Sequence, residues 1–148
     1  VVLATEGFES GTWTGGTGWL SGWIRSGDAN IVTSSGPHSG GRHARLRRAT
    51  GYLSRSVTLA SSGAVHLRFW AKVSSLESSA QALIRISADG SSWTTVKTFT
   101  SADSNNTYQS YDLDLGARSG TLHIAIDANM NSTGDYLYVD DVEVTQAP

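Results

Sequence analysis

Charged and aromatic side chains are sparse in this chain, and their positions limit the chemistry open to it. Two pairs of carboxylates stand at its ends, Glu6 and Glu9 near the start and Asp140 and Asp141 near the finish. Carboxylate oxygens are the hard donors that calcium takes, completed by backbone carbonyls and water. Strand parity counted through Val142 and Val144 puts Asp140 on their side, so Asp140 rather than Asp141 is the one expected to be buried. A second group lies mid-chain: His66, Arg68, Trp70, Arg85, His123 and Asp127. Each alternates with aliphatic neighbours and should project from the side of its strand that meets water. An indole there can stack on the flat C–H face of a sugar while Arg, Asp and His hydrogen-bond the hydroxyl rim. The competing expectation is that a loop, with residues 13–23 as the candidate, folds over that sheet and buries Trp70. Trp19, Trp23 and Trp93 read as packing residues.

Arginine forms a third group. Nine of the eleven cations are Arg, and Arg42, Arg45, Arg47, Arg48 and Arg55 crowd one stretch. Guanidinium groups grip planar anions through paired hydrogen bonds, so an acidic polysaccharide or phosphate is one reading. The other is a row neutralised by an adjacent strand, with Asp112 and Asp114 as partners. Catalysis finds little support. Four His and thirteen carboxylates are present, but neither a G-x-S-x-G elbow nor an HExxH motif occurs. The run Asp140–Glu143 lacks the E-x-D-x-x-E spacing of an acidic glycosidase strand, so no catalytic residue is assigned.

Composition narrows the classes further. Cysteine is absent, which excludes disulfides and thiolate metal sites. A net charge of -2 gives no bias toward nucleic acid or an anionic membrane, and no apolar run approaches the roughly 18 residues that membrane insertion needs. The 22 Ser, 15 Thr and 16 Gly are too much small polar surface for a helical bundle, while five Trp and five Tyr argue against disorder.

These groups need strands to hold them. Alternation of period two predicts strands over residues 19–25, 29–33, 43–48, 52–59, 64–73, 81–87, 93–99, 108–115, 121–127 and 136–145, with one more ending near Phe8. Turn signals separate them, among them Ser35-Gly36-Pro37, Asp89-Gly90, Asn105-Asn106 and Ser132-Thr133-Gly134-Asp135. Residues 74–80 carry the one helical hint. About ten strands at regular spacing with no helices between them predict an all-β, antiparallel β-sandwich or barrel. Residues 1–148 read as a single module, and ends at Val1 and Pro148 suggest that a larger multidomain protein carries it.

Three stretches carry a family likeness: Gly7-Phe8-Glu9-Ser10-Gly11 followed by Trp13, Ser35 to Leu46, and Tyr138 to Val144. Together they resemble the bacterial jelly-roll modules of the galactose-binding-like superfamily, which include carbohydrate-binding modules and MAM-like adhesion domains. Ser87 to Trp93 resembles their usual hairpin. The likeness implies jelly-roll topology with first and last strands side by side. It also implies a structural calcium that draws on Glu9 and one aspartate of the closing pair. The module is therefore expected to be a non-catalytic accessory domain of a secreted or cell-surface bacterial protein, binding a polysaccharide or glycan and joined covalently to a catalytic or surface domain. A protein-interaction or adhesion module of MAM or pre-peptidase type is the alternative, with a small polysaccharide hydrolase or lyase third.

Overall fold

The computed structural model describes residues 1–130 and 134–148. Eleven strands among them form two antiparallel sheets packed face to face. In chain order they are β1 (Val2–Glu6), β2 (Ile24–Ser26), β3 (Ala29–Val32), β4 (His43–Leu46), β5 (Tyr52–Thr58), β6 (Ala64–Ser74), β7 (Gln81–Ser87), β8 (Thr94–Phe99), β9 (Gln109–Ala117), β10 (Thr121–Asn129) and β11 (Tyr136–Gln146). The first sheet runs β3-β4-β11-β6-β9, with β1 added alongside β11; the second runs β2-β5-β10-β7-β8. First and last strands therefore pair, Val2 opposite Thr145 and Glu6 opposite Val142.

Period-two alternation sets the core. Leu67, Phe69, Ala71 and Val73 of β6 point inward against Leu122, Ile124, Ile126 and Ala128 of β10, and Leu137, Val139, Val142 and Val144 of β11 join them. The inward set of β11 skips from Val139 to Val142. A bulge between Asp140 and Glu143 inserts one residue, and Asp141 takes a left-handed backbone with φ 50°. That bulge overturns the parity count. Asp140 faces outward with Tyr138, and it is 0% exposed because the loop of residues 37–42 covers it.

Two other expectations change. The strand expected over residues 19–25 shrinks to β2, because residues 12–23 form a loop tied down by single backbone bonds such as Trp23 to Trp13 and Leu20 to Ser56. No helix forms over residues 74–80, where a single turn is closed by the Ala80 amide on the Glu77 carbonyl, and a 3-10 turn at Ser101–Asp103 is capped by Thr100 and Asp103. The turn read at Ser132–Asp135 lies partly outside the described residues. Asp89-Gly90 does close the β7–β8 hairpin: Gly90 takes φ 78°, and the Asp89 carboxylate accepts the Ser91 and Ser92 amides.

Candidate functional site

The strands carry outward side chains on two opposite faces, and the six residues read from sequence divide between them. His66, Arg68 and Trp70 lie on the outer face of the first sheet, opposite Asp114, Asp112 and Ser110 of β9. Arg85, His123 and Asp127 lie on the outer face of the second sheet. Shared parity does not mean a shared surface, because both sheets have an outer side. The structure brings together two triplets, not one set of six.

On the first face, an open groove of about 420 Å³ is lined by Arg68, Phe69, Trp70, Ser110, Tyr111, Asp112, Asp141 and Glu143. Arg68 sits at its centre. Its Nε donates to Asp112 at 3.0 Å, and its Nη1 stands 3.7 Å from Glu143. His66 donates from Nδ1 to the other oxygen of Asp112 at 2.6 Å. That bond, ahead of the Arg68 contact, holds the Asp112 carboxyl below its ordinary range. Asp112 therefore pairs with Arg68 and His66, not with the Arg45–Arg47 row for which the sequence offered it.

Trp70 is half-buried by a different segment from the one expected. His38 stacks on its ring with centroids 3.8 Å apart and planes 16° apart, and the His38 Nδ1 donates to Asp141 at 2.6 Å. The loop that carries His38 is anchored beneath by Lys72, whose ammonium donates to the carbonyls of Ser35 and Gly36. The same ammonium lies 5.0 Å from the ring centroids of both Tyr108 and Tyr138. Burial lowers the Lys72 pKa. His43, stacked on Tyr138, completes this support: its Nε2 donates to the Ser34 carbonyl and its Nδ1 accepts the Tyr108 hydroxyl. Sequence reading missed Lys72, His43 and Tyr108 because their roles depend on how this loop folds against the first sheet, which local alternation does not show.

The loop expected over Trp70, residues 13–23, instead closes one end of the sandwich. Arg55 shares the inward side of Leu53 and Val57, so it leaves the arginine row altogether. It pairs with Glu6 at 3.0 Å, donates to Gly15 and Ser21 carbonyls, and lies 4.9 Å from the Trp19 ring and 5.5 Å from the Trp23 ring. Burial lowers the Arg55 pKa, and Glu6 opposes that shift.

On the second face, Arg85 and Asp127 form an ion pair at 3.0 Å. Ala125 faces outward between them and Ser54, yet it is 1% exposed and stands outside the core cluster. The Arg85 Nε is buried there without a hydrogen-bond partner.

The four acids proposed for calcium also divide. Glu6 is neutralised: Oε1 receives Arg55 and the Trp23 indole N–H, and Oε2 receives the Phe8 amide. Glu9, Asp140 and Asp141 meet on the loop of residues 37–42. Glu9 accepts the amides of Gly41 and Arg42, Asp140 accepts that of Ser39, and Asp141 accepts the Ser39 hydroxyl and His38. Among the described residues no three His, Asp or Glu side chains converge tightly enough to form a metal cluster by themselves. Burial, and to a lesser degree the Asp141 charge, pushes the Asp140 carboxyl up to about 6 against the hydrogen bond from Ser39. Asp140 is thus the buried carboxylate of the three whose charge is least offset, whereas Glu6 is already neutralised by Arg55.

No family model matches the chain, and no curated protein sequence does. Solved structures do match its fold. The Tm carbohydrate-binding module of family 61, determined with β-1,4-galactotriose, superposes with a TM-score of 0.67 at 20% identity, covering 95% of this chain and 94% of that one. The family 22 xylan-binding domain of Paenibacillus barcinonensis Xyn10C gives 0.63 at 13% identity, covering 99% and 94%. The K2 adhesin domain of Lys-gingipain gives 0.64 at 18% identity, covering 97% of each chain. The chain has the jelly-roll fold of these modules.

Proposed function

We propose that this chain is a non-catalytic carbohydrate-binding module of a larger secreted or cell-surface protein, and that it holds a glycan in the groove beside Trp70. One observation carries the reading. A half-buried indole borders a groove of about 420 Å³ whose rim alternates donors and acceptors, Arg68 and Ser110 against Asp112, Asp141 and Glu143. That volume falls within the range of small-ligand sites. Sugars match such a lining, with C–H patches for the part of the indole that His38 leaves facing the groove and hydroxyls for the charged rim. The galactotriose and xylan that structural neighbours take support the ligand class. Arg85, Asp127 and His123 on the opposite face form a separate candidate surface.

A structural calcium belongs to the same proposal. Asp140 would hold it, with Glu9 and Asp141 as the other protein carboxylates on that loop. The cation would offset the buried charge and tie the N-terminal turn to β11.

Affinity electrophoresis in gels that contain galactan or xylan tests the proposal. The wild-type chain should be retarded by at least one of them, and Trp70→Ala should run freely while Asp127→Ala does not. No retardation by any neutral polysaccharide would favour the second reading, an adhesion module, to which the likeness to the gingipain adhesin domain lends support.

A further inference from the structure

Beyond the Trp70 groove, the same outer face carries a basic patch at β3 and β4. Arg45 and Arg47 alternate with buried Ala44 and Leu46, so both project outward, and Arg45 stands opposite Tyr138. Both guanidinium carbons lie 5.9 Å from the centre of one ring, Tyr136. Arg25 and Arg48 flank them. Asp28 pairs with Arg47 at 2.8 Å and with Arg48 at 3.2 Å. Arg25 uses the Ala29 carbonyl and Asn30 amide oxygen instead.

Arg45 is the exceptional member. Its side chain makes no ion pair or hydrogen bond to a described residue, and its Nε is buried without a partner. Two guanidinium groups over one tyrosine ring repel each other, and Asp28 offsets the charge of Arg47 but makes no contact with Arg45. Local positive charge also runs against the net charge of -2 of the whole chain. An unpaired, pre-oriented guanidinium fork matches a carboxylate or sulfate.

We infer that Arg45 and Arg47, set over Tyr136, form an anion site for an acidic polysaccharide, binding the carboxylate of a uronic acid or a sulfate ester. The choice of a glycan as the anion's carrier rests on the carbohydrate-binding reading above; the site itself is separate from the Trp70 groove. It lies about two strand spacings, roughly 10 Å, from β6, and shares no lining residue with the groove.

Affinity gels containing polygalacturonate, dextran sulfate or neutral galactan test this. Retardation by polygalacturonate alone identifies a carboxylate ligand, and by dextran sulfate alone a sulfate ester; both outcomes support the site. In either case retardation should fade as salt is raised. Arg45→Gln should weaken it about tenfold, since a charge-assisted fork is lost, and should leave galactan binding unchanged. Trp70→Ala should do the reverse, which separates failure of this site from failure of the groove. Arg45→Gln removes no hydrogen bond or ion pair of the fold, so its melting temperature should match wild type. If that variant does not fold, Arg45→Lys, which keeps the charge and loses the fork, decides. Indifference of both acidic gels to the protein, undiminished retardation of the Arg45 variant, or equal binding of oligothymidylate would each overturn the inference.

Discussion

His43 is fully buried, stacked on Tyr138 and held between the Tyr108 hydroxyl and the Ser34 carbonyl. Burial keeps its pKa below the ordinary 6.5, and the nearby Lys72 and Arg45 charges act in the same direction. The unfolded chain therefore takes up a proton that the native imidazole resists as pH drops below about 6.5. Stability should decline with falling pH from that point. Urea melts at pH 7.5 and 5.5 should show a smaller loss for His43→Gln than for wild type; equal losses would contradict this. Arg55 and Glu6 make a second residue-scale prediction. Both side chains are nearly inaccessible, so Arg55→Met strands a buried carboxylate and should cost about 3–5 kcal/mol in a urea melt. Little of this was legible in the sequence. Arg55 looked like one of five clustered arginines, although its alternation with Leu53 and Val57 already set it apart on their inward side. Asp140 was correctly read as buried, but for a reason that the bulge at Asp141 cancels.

Two elements hold the molecule's long-range closures. Gln146, near the end of β11, accepts the amides of Ala60 and Ser61 and donates to the carbonyls of Ser61, Gly63 and Arg118. Gln146→Ala removes these bonds, leaving the Gly63 carbonyl only its bond from the Arg118 amide, at about 1 kcal/mol or more for each group left without a partner, so its melting temperature should fall by several degrees. The loop of residues 33–42 depends on Lys72, whose ammonium reaches two of its carbonyls. Lys72→Met should speed amide exchange across residues 34–42 and leave β10 protected; unchanged exchange in the loop would show that Asp140 and Asp141 suffice to hold it. The sequence announced this loop as a Ser-Gly-Pro turn and, within Ser35 to Leu46, as part of the family likeness. Nothing in its own composition says which sheet it lies against, and that contact places His38 on Trp70.

At the scale of the whole molecule, the sandwich was legible because alternation is a local property. Nine of the strands begin within one residue of where the pattern places them, and the long central pair, β6 and β11, lies among them. What alternation cannot say is which of two outer faces a polar residue reaches. That depends on strand order, and strand order separates Trp70 from Arg85 by the thickness of the core. The calcium proposal also belongs to this scale, because it links the N-terminal turn, the 37–42 loop and β11. A cation bound only by the folded chain must raise its melting temperature. Added calcium should therefore raise the midpoint and excess chelator lower it, and Asp140→Asn should abolish both shifts; a midpoint that chelator leaves unmoved would contradict the site. Where a sugar binds decides between the two outer faces. Backbone and indole NMR shifts recorded during titration with a galacto- or xylo-oligosaccharide locate it directly. The prediction is movement of the Trp70 indole N–H together with the amides of Arg68, Asp112 and Glu143. Shifts confined to Arg85, His123 and Asp127 would contradict it.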